Sequence, residues 1–175
     1  GAFAGHPLGN IIIAGLSEMQ GSTYNAMQLL SKFFHTTGKI FPSSDHPLTL
    51  HAVFKDGSEV AGESHIADHP GMIDHVYVTN TLDDEKPQAS RRVVNTILES
   101  DMIVLGPGSL FTSILPNIVI EEIGQALLET KAEVAYVCNI MTQRGETEHF
   151  SDSDHVVVLH RHLGRPFIDT VLVNI

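Results

Sequence analysis

The sequence predicts an α/β domain with a mainly parallel sheet and a β-hairpin inserted over residues 39–66, and three observations predict it. Asp101 to Asn117 reads as a short aliphatic strand, Met102 to Leu105, which breaks into glycines and hydroxyls and then into a helical pattern. Val134 to Val137 repeats that order and opens into the polar stretch Cys138 to Thr147. Short aliphatic runs of this kind, alternating with amphipathic segments, are the pattern of βα units whose strands are buried on both faces. Leu48 to Phe54, in contrast, alternates with period two, and Asp56-Gly57 joins it to a second extended run, Ser58 to Ile66, as in a hairpin.

The elements follow in order. Asn10 is placed as the N-cap of a helix over Ile11 to Met19. Thr23 to Phe34 carries Met27, Leu29, Leu30, Phe33 and Phe34 at helical spacing and ends near Gly38. A doubly wound sheet normally begins with a strand, and this chain, which starts Gly1-Ala2-Phe3-Ala4, has two helices first; its first βα unit is expected upstream of residue 1. Ile73 to Val78 reads as a strand, and Pro87 to Glu99 as a helix with proline in its first turn and Val93, Val94, Ile97 and Leu98 on one face. Asn117 to Thr130 is expected to form the helix after the Met102 strand, Asp152 to Leu163 a moderately helical segment, and Thr170 to Asn174 a closing strand. With 175 residues and no linker, repeat or low-complexity tract, the chain reads as a single domain over 1–175.

Bulk properties narrow the function. A formal net charge of −11 argues against nucleic acid as a partner, because binding it rests on Lys and Arg neutralising phosphates. No apolar run approaches the ~20 residues that span a bilayer, so no membrane partner is expected. The single cysteine, Cys138, cannot form an internal disulfide, which suits a reducing cytoplasm, and its apolar setting suits a buried structural thiol. A homo-oligomer is left open.

In open parallel sheets, ligands sit outside the carboxyl ends of the strands, where the two polar loops fall. Gly106 and Gly108 let successive N–H groups converge on a ligand oxygen, and Ser109, Thr112 and Ser113 supply hydroxyls. A Rossmann fingerprint would need a glycine where Phe111 stands, a Walker A loop would need Gly-Lys-Ser/Thr, and a nucleophile elbow would need glycines at Pro107 and Phe111. Phosphate binding and an ordinary strand-to-helix connection both stay open on local chemistry. In the second loop Asn139, Thr142, Gln143 and Glu146 offer amide, hydroxyl and carboxylate contacts, and Arg144 a cation suited to phosphate; equally, such residues make turns. His6 lies just before a helix, where an imidazole can donate to phosphate or simply cap a turn. The eleven histidines show no zinc-ligand spacing; His65 and His69 flank what reads as a turn, not a helix face. Asp154-His155 is a poor catalytic pair, since adjacent side chains diverge on helix or strand.

Four motifs, taken together, carry a resemblance: Gly5-His6-x-x-Gly9-Asn10, Gly106-Pro-Gly-Ser-Leu-Phe-Thr-Ser-Ile-Leu-Pro-Asn117, Asn139-Ile-Met-Thr-Gln-Arg-Gly-Glu-Thr147 and Asp154-His155-Val156. In order and spacing they resemble the CofD-like family, which contains the 2-phospho-L-lactate transferases of deazaflavin cofactor synthesis and the YvcK-type gluconeogenesis factors. The hairpin, with Asp56-Gly57 and Gly62-Glu63-Ser64, looks like the gluconeogenesis-factor branch. The resemblance implies a Rossmann-like three-layer α/β/α fold and a nucleotide or nucleotide-conjugate site at the strand carboxyl ends. Gly106 to Ser113 would line the phosphates, Asn117 would start the next helix, and His6, Gly9 and Asn10 would belong to the same crevice. Gluconeogenesis factors imply UDP-sugar binding, growth on gluconeogenic carbon sources and cell shape, without catalysis. Transferase members imply a nucleoside-diphosphate-linked donor and Mg2+, whose acidic ligands are expected outside this chain, so no metal ligand and no catalytic residue is assigned.

Overall fold

The computed structural model describes residues 8–35, 37–138, 147 and 149–173, the first three by backbone alone. Two helices, α1 (Leu8–Gln20) and α2 (Thr23–Phe33), lead into an antiparallel sheet of β1 (Leu48–Phe54), β2 (Glu59–Ala61) and β3 (Ile73–Asn80), with the short α3 (Glu63–Asp68) between β2 and β3. Helix α4 (Arg91–Glu99) then enters a parallel sheet of β4 (Met102–Leu105), β5 (Glu133–Val137) and β6 (Thr170–Leu172). Between β4 and β5 run a π-helical turn (Leu110–Ile114), α5 (Leu115–Ile118) and α6 (Glu121–Glu129); α7 (Asp152–Leu163) connects β5 to β6. The α/β class and the parallel sheet are as the sequence predicts. The hairpin register, His51 opposite Ala61 and Val53 opposite Glu59, is continued on the other side of β1 by β3, so the hairpin is part of a second sheet.

Several local expectations are corrected. Asn10 lies inside α1, which starts at Leu8, and is not its N-cap. The second hairpin strand stops at Ala61: Gly62, at φ +93°, turns the chain, and 63–68 is helical, so His65 does stand on a helix. Helix α4 starts at Arg91 and not at Pro87, because the Ser90 side chain accepts from Val93 N–H and caps it. The segment after β4 is broken in three: Asn117 sits within α5, and Ile120, extended at φ −68° and ψ 120°, separates α5 from α6. Strand β4 is not buried on both faces. It pairs only with β5 among the described residues, and Met102 and Val104 are 57% and 51% exposed.

One continuous core joins the sheets. Leu50, Ala52, Phe54 and Val76 of the antiparallel sheet share one buried cluster with Leu110, Leu115 and Ile118 and with Val134, Tyr136 and Leu159. Helix α7 also seals the free edge of β3 with polar groups. Arg161 donates to the Asp74 carbonyl, and Val76 N–H donates to His162 Nε2 at 3.1 Å. His162 Nδ1 lies 2.7 Å from Val158 carbonyl, which can only accept, so this imidazole is neutral with its proton on Nδ1.

Burial holds His162 below its ordinary value near 6.5 against the opposing hydrogen bond to the Val158 carbonyl, with Arg161 and His75 acting with burial and Asp74 against it; burial also lowers His155 and His160. The unfolded chain therefore binds protons that the folded one resists, and stability falls as pH drops below about 6.5. Thermal unfolding is expected to show a lower midpoint at pH 5 than at pH 7.5. His162→Gln, whose amide can reproduce both bonds without titrating, is expected to lessen that pH dependence.

Gly124 of α6 sits tightly against Leu163 of α7 and Ile118 of α5. A Cβ there would stand 2.8 Å from Leu163 Cδ2 and 2.9 Å from Ile118 carbonyl. Alanine gains about 1 kcal/mol of helix propensity over glycine, but the carbonyl is backbone and cannot yield, and overpacking costs about 1–3 kcal/mol. Gly124→Ala is expected to be net destabilising, by up to about 2 kcal/mol, in urea unfolding.

Candidate functional site at the carboxyl ends of β4 and β5

The turn after β4 is built by glycine. Gly106 has φ +92°, a conformation that L side chains rarely adopt, and a Cβ on it would meet Val137 carbonyl at 3.0 Å. The Gly106–Pro107 peptide is cis. Gly108 has a Cβ direction that ends 3.2 Å from Ser113 Cβ, so the loop folds tightly back over its own helix.

The hydroxyls divide into two roles. Ser109 is buried and caps the π-helical turn: its Oγ accepts from Thr112 N–H at 3.4 Å and from Thr112 Oγ1 at 2.7 Å, while its carbonyl accepts from Ser113 and Ile114 N–H. Thr112 is half-buried, and Ser113 is the most exposed residue of the three. Asn117, also exposed, donates from Nδ2 to Ser113 carbonyl at 2.8 Å and accepts from Ser43 Oγ, so it braces the loop against the segment before β1. Leu110, Phe111, Ile114 and Leu115 anchor the loop in the core.

At the end of β5 a buried polar cluster appears. Tyr136 Oη and His155 Nδ1 are 3.0 Å apart, with Tyr136 0% and His155 3% exposed. Cys138 Sγ donates to Asp152 Oδ1 at 3.4 Å. Burial raises the Tyr136 phenol, and burial with the Asp152 carboxylate pushes the Cys138 thiol up to about 11, so Cys138 is a protonated structural thiol at neutral pH. Helix α7 begins beside this cluster with a capping box: Ser151 Oγ accepts from Asp154 N–H, and the Asp154 carboxylate accepts from Ser151 N–H at 2.7 Å. Asp154 and His155 accordingly point to different partners, as their adjacency predicts.

The predicted site residues are thus partly brought together. Gly106, Gly108, Ser109, Thr112, Ser113 and Asn117 form one turn. Gly9 and Asn10 lie in α1 as backbone. His6, Asn139, Thr142, Gln143, Arg144 and Glu146 fall outside the described residues. The Tyr136, Asp152 and His155 cluster was not predicted; the sequence signal for its frame is Ser151-x-x-Asp154, a capping-box spacing. A separate groove of about 610 Å3 lies between β3, α6 and α7 and contains none of the predicted site residues. Its polar groups Asp74, Arg161 and His162 are already engaged across the β3 edge. Among the described residues no helix is long and apolar enough to cross a membrane.

Comparison with known proteins adds the family. The family model described as 2-phospho-L-lactate transferase CofD matches residues 1–175. A Streptococcus pneumoniae protein named "Putative gluconeogenesis factor" is 89% identical over 175 residues, covering 100% of this chain and 54% of that protein. The Bacillus subtilis protein named gluconeogenesis factor is 41% identical over 170 residues, covering 97% of this chain and 52% of that protein. A crystal structure of a UPF0052-family member from Bacillus halodurans superposes with a TM-score of 0.90 at 36% identity, over 99% of this chain and 55% of that one. The chain therefore spans about half the length of the curated relatives it matches. On the strength of a match along its whole length, this chain belongs to the CofD family.

Proposed function

We propose that the protein containing this chain is a gluconeogenesis factor: a cytoplasmic regulator that binds a nucleotide sugar, of the UDP-sugar class, and is needed for growth and cell shape on gluconeogenic carbon sources. The observation that carries the reading is the glycine turn at Gly106–Ser113, placed at the carboxyl end of a parallel strand in a CofD-family chain whose relatives bear that name. The positive φ of Gly106 and its close fit against the Val137 carbonyl hold the turn in a compact form, the kind of backbone whose successive N–H groups can converge on a phosphate. A diphosphate bound by backbone dipoles also suits a chain with a net charge of −11 and ten Lys and Arg. Calorimetric titration of UDP-N-acetylglucosamine into the full-length protein is expected to give saturable heat; no heat at millimolar ligand would sink the reading.

The description of the matching family model favours a second reading, a phospholactate-type transferase using a nucleoside-diphosphate-linked donor with Mg2+. Among the described residues no group of three or more His, Cys, Asp or Glu is placed to hold a metal ion, so no Mg2+ ligand is assigned in this half. Incubation of the full-length protein with donor, deazaflavin acceptor and Mg2+ separates the readings: released nucleoside monophosphate supports the transferase, and binding without turnover supports the regulator.

A further inference from the structure

We infer that Tyr136, Phe150 and His155 are positioning residues that set the spacing between the Gly106–Ser113 turn and the stems of the loop that joins β5 to α7. Phe111, 0% exposed, belongs to the first of these. Its ring meets the Phe150 ring edge-on, with centroids 6.3 Å apart and planes at 69°. Phe150 in turn meets His155 at 5.6 Å and 88°, and His155 reaches Tyr136 Oη on β5 at 3.0 Å. A relay of four rings therefore runs from the β4 turn, through Phe150 beside the Ser151 cap and the first turn of α7, back to the end of β5. Cys138 and Asp152, linked at 3.4 Å, hold the same two stems together one step further out.

The chemistry of the relay argues for positioning over bulk stability. An apolar pair of similar volume in place of Tyr136 and His155 would avoid the cost of burying two polar groups. What the hydrogen bond adds is direction: it fixes the imidazole plane, and the edge-on stacking of Phe150 against that plane then fixes where Phe111 and the turn above it can sit. The coupling between the loops follows from this geometry; that it affects nucleotide-sugar affinity rests on the reading proposed above.

The experiment is amide hydrogen exchange on the full-length protein, comparing wild type with Tyr136→Phe and Phe150→Leu, each with and without UDP-N-acetylglucosamine as probe. Without ligand, peptides covering 106–117 are expected to exchange about 5–10-fold faster in either variant, with β1 and β3 unchanged, and the double variant is expected to match the worse single within about twofold, since both act through one contact path. Kd for the probe is expected to rise by a similar factor. Unchanged exchange over 106–117, or acceleration spread evenly over all peptides, overturns the inference. If the wild type binds no probe, the functional reading falls while the exchange data still decide the coupling.

Discussion

Gly106→Val is expected to destabilise the full-length protein by about 3 kcal/mol and to abolish nucleotide-sugar binding. Two costs add. A β-branched residue at φ +92° pays about 1–3 kcal/mol of backbone strain. Its Cβ would also stand 3.0 Å from Val137 carbonyl and 3.3 Å from Ile114 Cδ1. The isoleucine methyl can rotate away, but the carbonyl belongs to a strand held between β4 and β6, so the turn must move, at a further cost of about 1–3 kcal/mol. Urea unfolding with unchanged m-value checks the first expectation, and calorimetry the second. Gly108→Ala is the control: its Cβ would meet side chains alone, Ser113 at 3.2 Å and Ile114 at 3.9 Å, and its φ is not positive, so a smaller loss is expected.

Phe111→Ala is expected to cost about 3–5 kcal/mol, the range for truncating a fully buried aromatic. The ring is 0% exposed and lies in the cluster that joins the two sheets, so its loss leaves a cavity where the π-helical turn is anchored. Phe111→Leu restores part of the volume and is expected to recover more than half of the stability, without recovering the edge-on contact to Phe150. Equilibrium unfolding of the three proteins measures both steps. A cost under about 1 kcal/mol for alanine would mean that the turn is not anchored by this ring.

Period and punctuation made most of the architecture legible. The strands at Met102, Val134 and Thr170 and the hairpin at Asp56-Gly57 stand where alternation and turn residues place them. What sequence reasoning missed depended on competing local preferences. Ser90 and Pro87 both offer a helix start, and only the capping bond to Val93 decides for Ser90. Asn117 reads as the first residue of a helix, but its amide bonds back to Ser113 within a helix that had already begun. Ile73 to Asn80 gives no sign in its own residues that it pairs antiparallel with β1. At the site, Gly106 announced the turn because its positive φ demands glycine, whereas the Tyr136 and His155 bond spans 19 residues and leaves no local pattern.

The most direct measurement of the central claim is the exchange footprint of UDP-N-acetylglucosamine on the full-length protein. Protection over 106–117, together with the segment joining β5 to α7, is the predicted result. Protection confined to the groove between β3, α6 and α7, or no protection at saturating ligand, would contradict the assignment of the Gly106–Ser113 turn as a wall of the nucleotide-sugar site.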